Sequence, residues 1–220
     1  MADTVRITGM KERGGVFQIS LSDRSDPIPV DPLIVARHRL KEGIVLTSPQ
    51  VADLVREAEL SACDREVARL LALRPHAIGE VRLKLQRKQF ASDVVTGIVR
   101  KYEQKGLLDD GHVAMMLARA TLERHPAGRS YLVAVLRRKM IDRELAEQTV
   151  DLVLGDRDET EIAYAALMQR RRLFVSSTEI EVESVRRKAY TFLSRRGIGY
   201  APAKAAFERL LKEQEKTDPQ

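Results

Sequence analysis

The stretch LQRKQF at residues 85–90 returns as LRRKMI at 136–141 and as LSRRGI at 193–198. Each copy has a leucine, a polar residue, two basic residues, a variable position and then Phe or Ile. The leucines are 51 and 57 residues apart, a spacing typical of an array whose units are about three helices long. We call this stretch the signature. A pair of cations on every unit indicates an extended partner that is anionic.

Charge is unevenly distributed along the 220 residues. The first sixty carry 8 basic and 9 acidic side chains, whereas the remaining 160 carry 30 and 23. The part of the chain that holds the signatures therefore carries all of the positive excess. This segregation favours a nucleic acid or an acidic protein as the partner, although charge alone identifies neither.

The cysteine count and the hydropathy pattern favour a cytoplasmic protein. Cys63 is the only cysteine, so no intramolecular disulfide is possible, and no apolar run is long enough to span a bilayer. No secretory signal pattern is present at the N-terminus. We interpret Cys63 as a small packing residue, since no catalytic arrangement of other residues accompanies it.

The N-terminal 57 residues differ from the rest in their pattern of apolar and polar residues. Runs of apolar and polar alternation, with Gly14-Gly15 between the first two, predict a β-hairpin and a third short strand, at 5–8, 16–21 and 29–31. Helices follow over 32–41 and 49–58, the second with Ser48 as its N-cap and Pro49 just inside.

Helix signals dominate from residue 58 onward. Prolines, glycines and capping residues divide this part into three repeats of three helices, at 58–107, 108–155 and 156–215. The expected helices of these repeats cover 61–73, 77–88 and 92–105, then 109–154 with a break at 125–128. The third repeat has a helix over 158–172, a loop over 173–178, a helix that resumes after it to 196, and a last helix over 200–211. The predicted fold class is mainly α: a tandem array of three three-helix repeats, preceded by a small hairpin-containing unit over 1–57.

The basic pairs of the signatures have two possible explanations. Each pair lies in the last turn of the second helix of its repeat, where a cation gains about 0.3–1 kcal/mol from the helix dipole. This interaction with the helix dipole explains one cation at each helix end, but it explains a second cation poorly. A binding surface that uses at least two of the pairs is the alternative, and its candidate residues are Lys84, Arg87, Lys88, Arg137, Arg138, Lys139, Arg186, Arg187, Lys188, Arg195 and Arg196.

A further basic run, Arg170-Arg171-Arg172, is expected to close the first helix of the third repeat, so it too is either a helix end or part of a binding surface. Two kinds of partner are open for such a surface: phosphates, to which arginine's planar fork makes bidentate contacts, and acidic side chains of a protein. Tyr102, Tyr190 and Tyr200 lie at helical core spacing and are interpreted as packed, which leaves no platform for stacking bases.

Motifs for catalysis, metal or nucleotide binding are lacking, so we expect no enzyme activity, no cofactor and no metal. Asp109-Asp110 is interpreted as a helix N-cap followed by a first-turn carboxylate. The four histidines are scattered without metal-ligand spacing, and no phosphate-binding glycine loop is present.

Three stretches resemble the RecX regulators of the RecA recombinase. Residues 80–90 are similar to the family's E-L-x-x-K-L…G-F segment, residues 103–110 to the run that ends in L-D-D/N-D, and residues 192–200 to F-L-x-R-R-G-F-x-Y. The resemblance covers roughly residues 60–212. It departs at Gln89 and Met140, where the family has glycine, at Ala77 and the preceding Pro75, and at Val135, so the helix ends at these places are open.

The resemblance implies a monomeric, non-enzymatic helical protein that lies in the groove of the RecA–single-stranded DNA filament. There it would modulate, and usually inhibit, filament growth, ATP hydrolysis, strand exchange and co-protease activity. Single-stranded DNA would be bound weakly or through RecA, and no membrane would be involved. The alternative is a helical array that binds nucleic acid without sequence preference and without RecA.

Overall fold

The computed structural model of the chain describes residues 4–174 and 179–217. It is mainly helical with a small N-terminal antiparallel sheet, which confirms the predicted fold class. The described residues fall into two compact units. One is the chain up to His76 together with Glu80–Leu108, and the other is Ala77–Gly79 together with the described residues from Asp109 onward. The finer division at residues 57, 107 and 155 stays a prediction.

The sheet of the first unit has four antiparallel strands within the described residues, in the order β3-β2-β1-β4. They are β1 (Thr4–Arg13), β2 (Val16–Leu21), β3 (Ile28–Val30) and β4 (Val45–Thr47), with helix α1 (Pro32–Arg37) between the last two. The hairpin is confirmed, because Gly14 and Gly15 both have positive φ between β1 and β2. Strand β4 went unpredicted; it is three residues long and pairs with β1.

Helix α2 (Ser48–Leu73) links the sheet to the helical repeats. The two helices predicted over 49–58 and 61–73 are wrong as separate elements, because no glycine or proline interrupts the chain between them. The first turns of α2 bury Val51 and Leu54 against the sheet, while later turns bury Cys63 and Val67. The N-cap is Thr47, in a capping box with Gln50, one residue before the predicted Ser48.

The remaining helices follow the predicted triplets closely. They are α3 (Ile78–Arg87), α4 (Ser92–Gln104), α5 (Asp110–Arg124), α6 (Arg129–Arg138), α7 (Arg143–Leu154), α8 (Glu159–Met168), α9 (Glu179–Arg195) and α10 (Tyr200–Thr217). In the second unit, α5–α7 enclose one apolar core and α8–α10 another. The N-caps Asp109 and Asp142 each accept a backbone hydrogen bond, whereas the N-cap of α4 is Ala91, whose side chain accepts none.

The predicted end of the first helix in the third repeat is wrong. Helix α8 stops at Met168, and the arginine run continues into a 3-10 turn over Arg171–Leu173. The chain leaves the helix there because Phe174, which is 3% exposed, enters the core beside Phe192. The predicted loop to Thr178 lies partly outside the described residues. Tyr200, expected to be packed, is 69% exposed, whereas Tyr102 is buried.

Candidate interaction surface

All three signatures are the same helix-ending structure, the Schellman motif. The variable fifth residue is left-handed in each copy, with φ of 63° at Gln89, 63° at Met140 and 73° at Gly197. Its N–H bonds back to the second signature residue at 2.8–2.9 Å, and the N–H of the sixth residue bonds back to the leucine carbonyl at 3.1–3.4 Å. This pair of bonds defines the motif. The glycine departures therefore leave the helix ends unchanged.

The motif also explains the apolar letters of the signature. Leu85, Leu136 and Leu193 are completely buried, and Ile141 and Ile198, at the sixth position, are buried as well. A hydrophobic contact between these two positions is a usual part of a Schellman motif. The leucine and the Phe or Ile thus recur because each second helix ends in the same way.

The first cation of each pair faces solvent. Arg87, Arg138 and Arg195 are the last residues of α3, α6 and α9, and all three are exposed. Within the described part of the chain none of them has a hydrogen bond or ion pair. We call these three residues the outward arginines. Helix-end electrostatics favours a cation at this position but requires no contact with another side chain.

The second cation of each pair has a partner within the chain. Lys88 forms an ion pair of 2.7 Å with Glu66 of α2. Arg196 donates to the carbonyl oxygen of Pro126 at 2.9 Å, and its guanidinium carbon lies 4.5 Å from the centroid of the Phe192 ring. Lys139 is also engaged. The predicted pairs are therefore pairs in sequence, but only their first members are free for a partner.

Electrostatics around the second cations agrees with this division. A hydrogen bond from Arg69, together with the one from Lys88, lowers the pKa of Glu66 to about 2. Burial, with a smaller effect of Arg170, lowers the pKa of Arg196. No carboxylate pairs with Arg196 in the described residues. Its charge is stabilised instead by the carbonyl oxygen of Pro126 and by the face of the Phe192 ring.

Three of the other candidate cations also contact the protein. Lys84 donates to Nε2 of His76 at 2.8 Å, and Nδ1 of that ring donates to the carbonyl oxygen of Arg74. Burial lowers the pKa of His76, so the ring is neutral and can accept from the lysine. Arg137 donates to the carbonyl oxygen of Ile141 at 2.8 Å, and Arg186 pairs with Glu183 at 2.8 Å. Arg187 and Lys188 are exposed.

The structure brings Arg170 and Arg196 together in the third repeat. Their guanidinium carbons lie 5.8 Å and 4.5 Å from the centroid of the same Phe192 ring. Exposed Arg195 is the last residue of α9 and directly precedes Arg196, and exposed Arg172 lies in the turn after Arg170. Four of the predicted cations thus belong to two neighbouring segments of one repeat.

Three partners of these cations, Glu66, His76 and Phe192, were not predicted from the sequence. Of these, only Phe192 could have been recognised, because it directly precedes the signature leucine. The interpretation of Asp109-Asp110 is confirmed: Asp109 caps α5, and Asp110 lies in its first turn. Asp110 also accepts the backbone N–H of Ile78 at 2.7 Å, and it therefore caps α3.

Sites for other chemistry are lacking in the described residues. No group of three or more potential metal ligands occurs there. Burial raises the pKa of Cys63 to about 11, which keeps this buried thiol protonated and unreactive. Among the described helices, none combines the length and the apolar character that crossing a bilayer requires.

Comparison with known proteins decides the family. No family model matches the chain. Regulatory protein RecX of Trichlorobacter lovleyi is 30% identical over 149 residues, which are 68% of this chain and 96% of that protein. Regulatory protein RecX of Amycolatopsis mediterranei is 31% identical over 144 residues, 66% of this chain and 80% of that protein. The chain belongs to the RecX family.

The architecture of a RecX crystal structure is also similar. Regulatory protein RecX aligns over 95% of this chain and 99% of its own, with a TM-score of 0.61 and 19% identity. That likeness concerns the fold alone. In this RecX-family chain, the stretches that carry the resemblance include the first and third Schellman motifs and the carboxylate cap of α3.

Proposed function

We propose that this chain is a non-enzymatic regulator of RecA, with inhibition as its main effect. It acts as a monomer in the groove of the RecA–single-stranded DNA filament, where it modulates filament extension, ATP hydrolysis, strand exchange and co-protease activity. The placement of the outward arginines is the observation that most strongly supports binding to the filament. In each repeat, the cation at the same position of the same helix-ending motif has no hydrogen bond or ion pair within the described residues.

The spacing of weak contacts along the chain fits a repeating partner better than a compact one. Each exposed ion contact is worth about 0–1 kcal/mol, so no single arginine can hold the chain in place. Several contacts made together act by avidity, because each one raises the effective concentration for the next. A filament offers the same anionic group at regular intervals, and single-stranded DNA would then be reached weakly or through RecA.

Regulation follows from differential binding. A protein that binds one state of the filament more tightly than another shifts the equilibrium between them by that difference in affinity, and by no more. No catalytic group is required for this effect. The proposed binding residues are the outward arginines together with the exposed cations of the third repeat, Arg170, Arg172, Arg187 and Lys188.

RecA's DNA-dependent ATPase tests the proposal directly. Replacement of Arg87, Arg138 and Arg195 by glutamine should raise the concentration for half-maximal effect by roughly tenfold or more, if each contact is worth about 0.5 kcal/mol. A matched control replaces one other exposed cation per repeat, Arg100, Arg119 and Lys212, and should act like the unchanged chain. Equal potency of the two triple variants would reject the outward arginines as the binding residues.

A second candidate function is RecA-independent binding of nucleic acid, which the segregation of positive charge favours. It predicts tight binding to naked DNA, with an affinity that falls steeply as salt rises because neutralised phosphates release counterions.

A further inference from the structure

The turn that follows α8 combines three arginines with two exposed apolar side chains. Arg170, Arg171 and Arg172, with Met168 and Leu173, line a cavity of about 700 Å³. Leu173 is 59% exposed and Met168 is 37% exposed, although neither is a residue type that favours solvent. We call residues 168–173 the arginine turn.

Its backbone is held firmly. The N–H of Arg170 bonds to the carbonyl oxygen of Leu167, that of Leu173 to Arg170, and that of Phe174 to Arg171, all at 2.8–3.0 Å. Phe174, at the end of the turn, is buried against the Phe192 ring, and its carbonyl oxygen accepts from Gln214. The exposed side chains of the turn are therefore presented by a fixed backbone, and a partner need not order that backbone on binding.

None of the three arginines of the turn forms an ion pair within the described residues. Arg171 does act on a carboxylate: the pKa of Glu213 is lowered first by a hydrogen bond from Tyr164 and to a smaller extent by the charge of Arg171. Arg170 shares the Phe192 ring with Arg196, which likewise has no carboxylate partner in the described part of the chain. Like charges gathered in this way repel one another, and an external anion relieves the repulsion.

We infer that the arginine turn is a docking site for an acidic peptide segment that carries apolar side chains. Carboxylates of the segment pair with Arg170 and Arg172, and an apolar side chain covers Leu173 and Met168. A phosphodiester backbone fits less well, since it offers no apolar group to the leucine, and the Phe192 ring is already covered by guanidinium groups instead of open for stacking a base. This inference rests on the proposed function, because it specifies which kind of RecA segment one part of the surface receives.

The test uses the full chain and three labelled probes, without RecA. They are a short peptide of Asp and Glu with two leucines, the same peptide with serine for leucine, and a single-stranded oligo-dT of equal charge. Fluorescence anisotropy should rank the leucine peptide first. Leu173→Ser should weaken its binding by roughly tenfold, the loss expected when an apolar side chain is no longer buried. Arg172→Ala should weaken it by about two- to fivefold.

Matched controls make the result decisive. Arg100→Ala removes an exposed arginine of the first repeat and should leave peptide binding unchanged. Circular dichroism of every variant should match that of the unchanged chain, since Leu173 and Arg172 point to solvent. Tighter binding of oligo-dT than of the leucine peptide, indifference to Leu173→Ser, or no binding of any probe would each overturn the inference. None of these results depends on RecA, so failure of this inference can be told apart from failure of the proposed function, which the RecA ATPase tests.

Discussion

Arg196 donates a hydrogen bond of 2.9 Å to the carbonyl oxygen of Pro126, a residue 70 positions earlier in the chain. The backbone of the same region is joined as well, because the N–H of Gly128 donates to the carbonyl oxygen of Arg196 at 2.8 Å. A side chain on either Gly128 or Gly197 would collide with the other segment. The third signature is thus attached to the loop that precedes α6, and its second arginine belongs to that attachment.

The two arginines of this signature should therefore respond differently to substitution. Arg196→Gln should lower the free energy of unfolding by roughly 1–2 kcal/mol, through the loss of a charged hydrogen bond and a ring contact. Arg195→Gln should change it by less than about 0.5 kcal/mol, as for other exposed sites. Urea denaturation measures both, and equal effects of the two variants would refute the division of roles.

The left-handed residues of the signatures offer a second test. Gln89 is exposed and has φ of 63°, a conformation that costs a residue with a side chain about 1–2 kcal/mol. Gln89→Gly should stabilise the chain by roughly 0.5–1 kcal/mol, since glycine recovers that cost but adds entropy to the unfolded chain. Gly197→Ala should destabilise it, because φ is 73° and the new Cβ would strike the backbone of Tyr131. Thermal denaturation shows whether each variant is more or less stable than the unchanged chain. A destabilising Gln89→Gly would contradict the assignment of a Schellman motif.

The lowered pKa of Glu66 predicts how the stability of the folded chain depends on pH. Its pKa is lowered from 4.5 to about 2, first by the hydrogen bond from Arg69 and then by Lys88. A lowered folded-state pKa means that the stabilisation is complete above pH 4.5 and is lost as the pH falls towards 2. The unchanged chain should thus be more stable than Glu66→Gln at neutral pH, and the difference should shrink below pH 4.5. A constant difference from pH 7 to pH 3 would show that the charge of Glu66 is not its cause.

Removal of the third repeat should be far more damaging to function than any single substitution. Deletion of residues 156–220 removes an outward arginine and the arginine turn together, so several contacts of the proposed filament interface disappear at once. We expect the effect on RecA's ATPase to vanish, provided that circular dichroism shows the remaining repeats to be folded. A folded truncation that acts at the same concentration as the full chain would exclude avidity across repeats.

The sequence could predict the repeats because each second helix ends by local chemistry. A leucine, two cations, a left-handed position and an apolar residue are contiguous, so their spacing is visible without any tertiary information. The residues that decide which cation is free are distant: Glu66 and His76 for the first repeat, Pro126 for the third. No local pattern marks such partners. In the same way, β4 is three residues long and exists because β1 pairs with it.

The end of α8 was mispredicted for a related reason. Helix propensity and the arginine run favour continuation to residue 172, but burial of Phe174 beside Phe192 requires the chain to turn earlier. The same packing gives the arginine turn its exposed leucine. A gap within α2 was predicted where the sequence contains no helix breaker, and the structure shows one helix that serves both the sheet and the first repeat.

One binding measurement tests whether this RecX-family chain binds the RecA filament through its outward arginines. Anisotropy of the labelled chain is recorded on naked single-stranded DNA and on RecA-coated DNA at physiological salt. We predict tight binding only to the coated DNA, strongly weakened by glutamine at Arg87, Arg138 and Arg195 but not by the control set at Arg100, Arg119 and Lys212. Equal affinity for naked and coated DNA, with a steep salt dependence in both cases, would show that the chain binds nucleic acid without RecA.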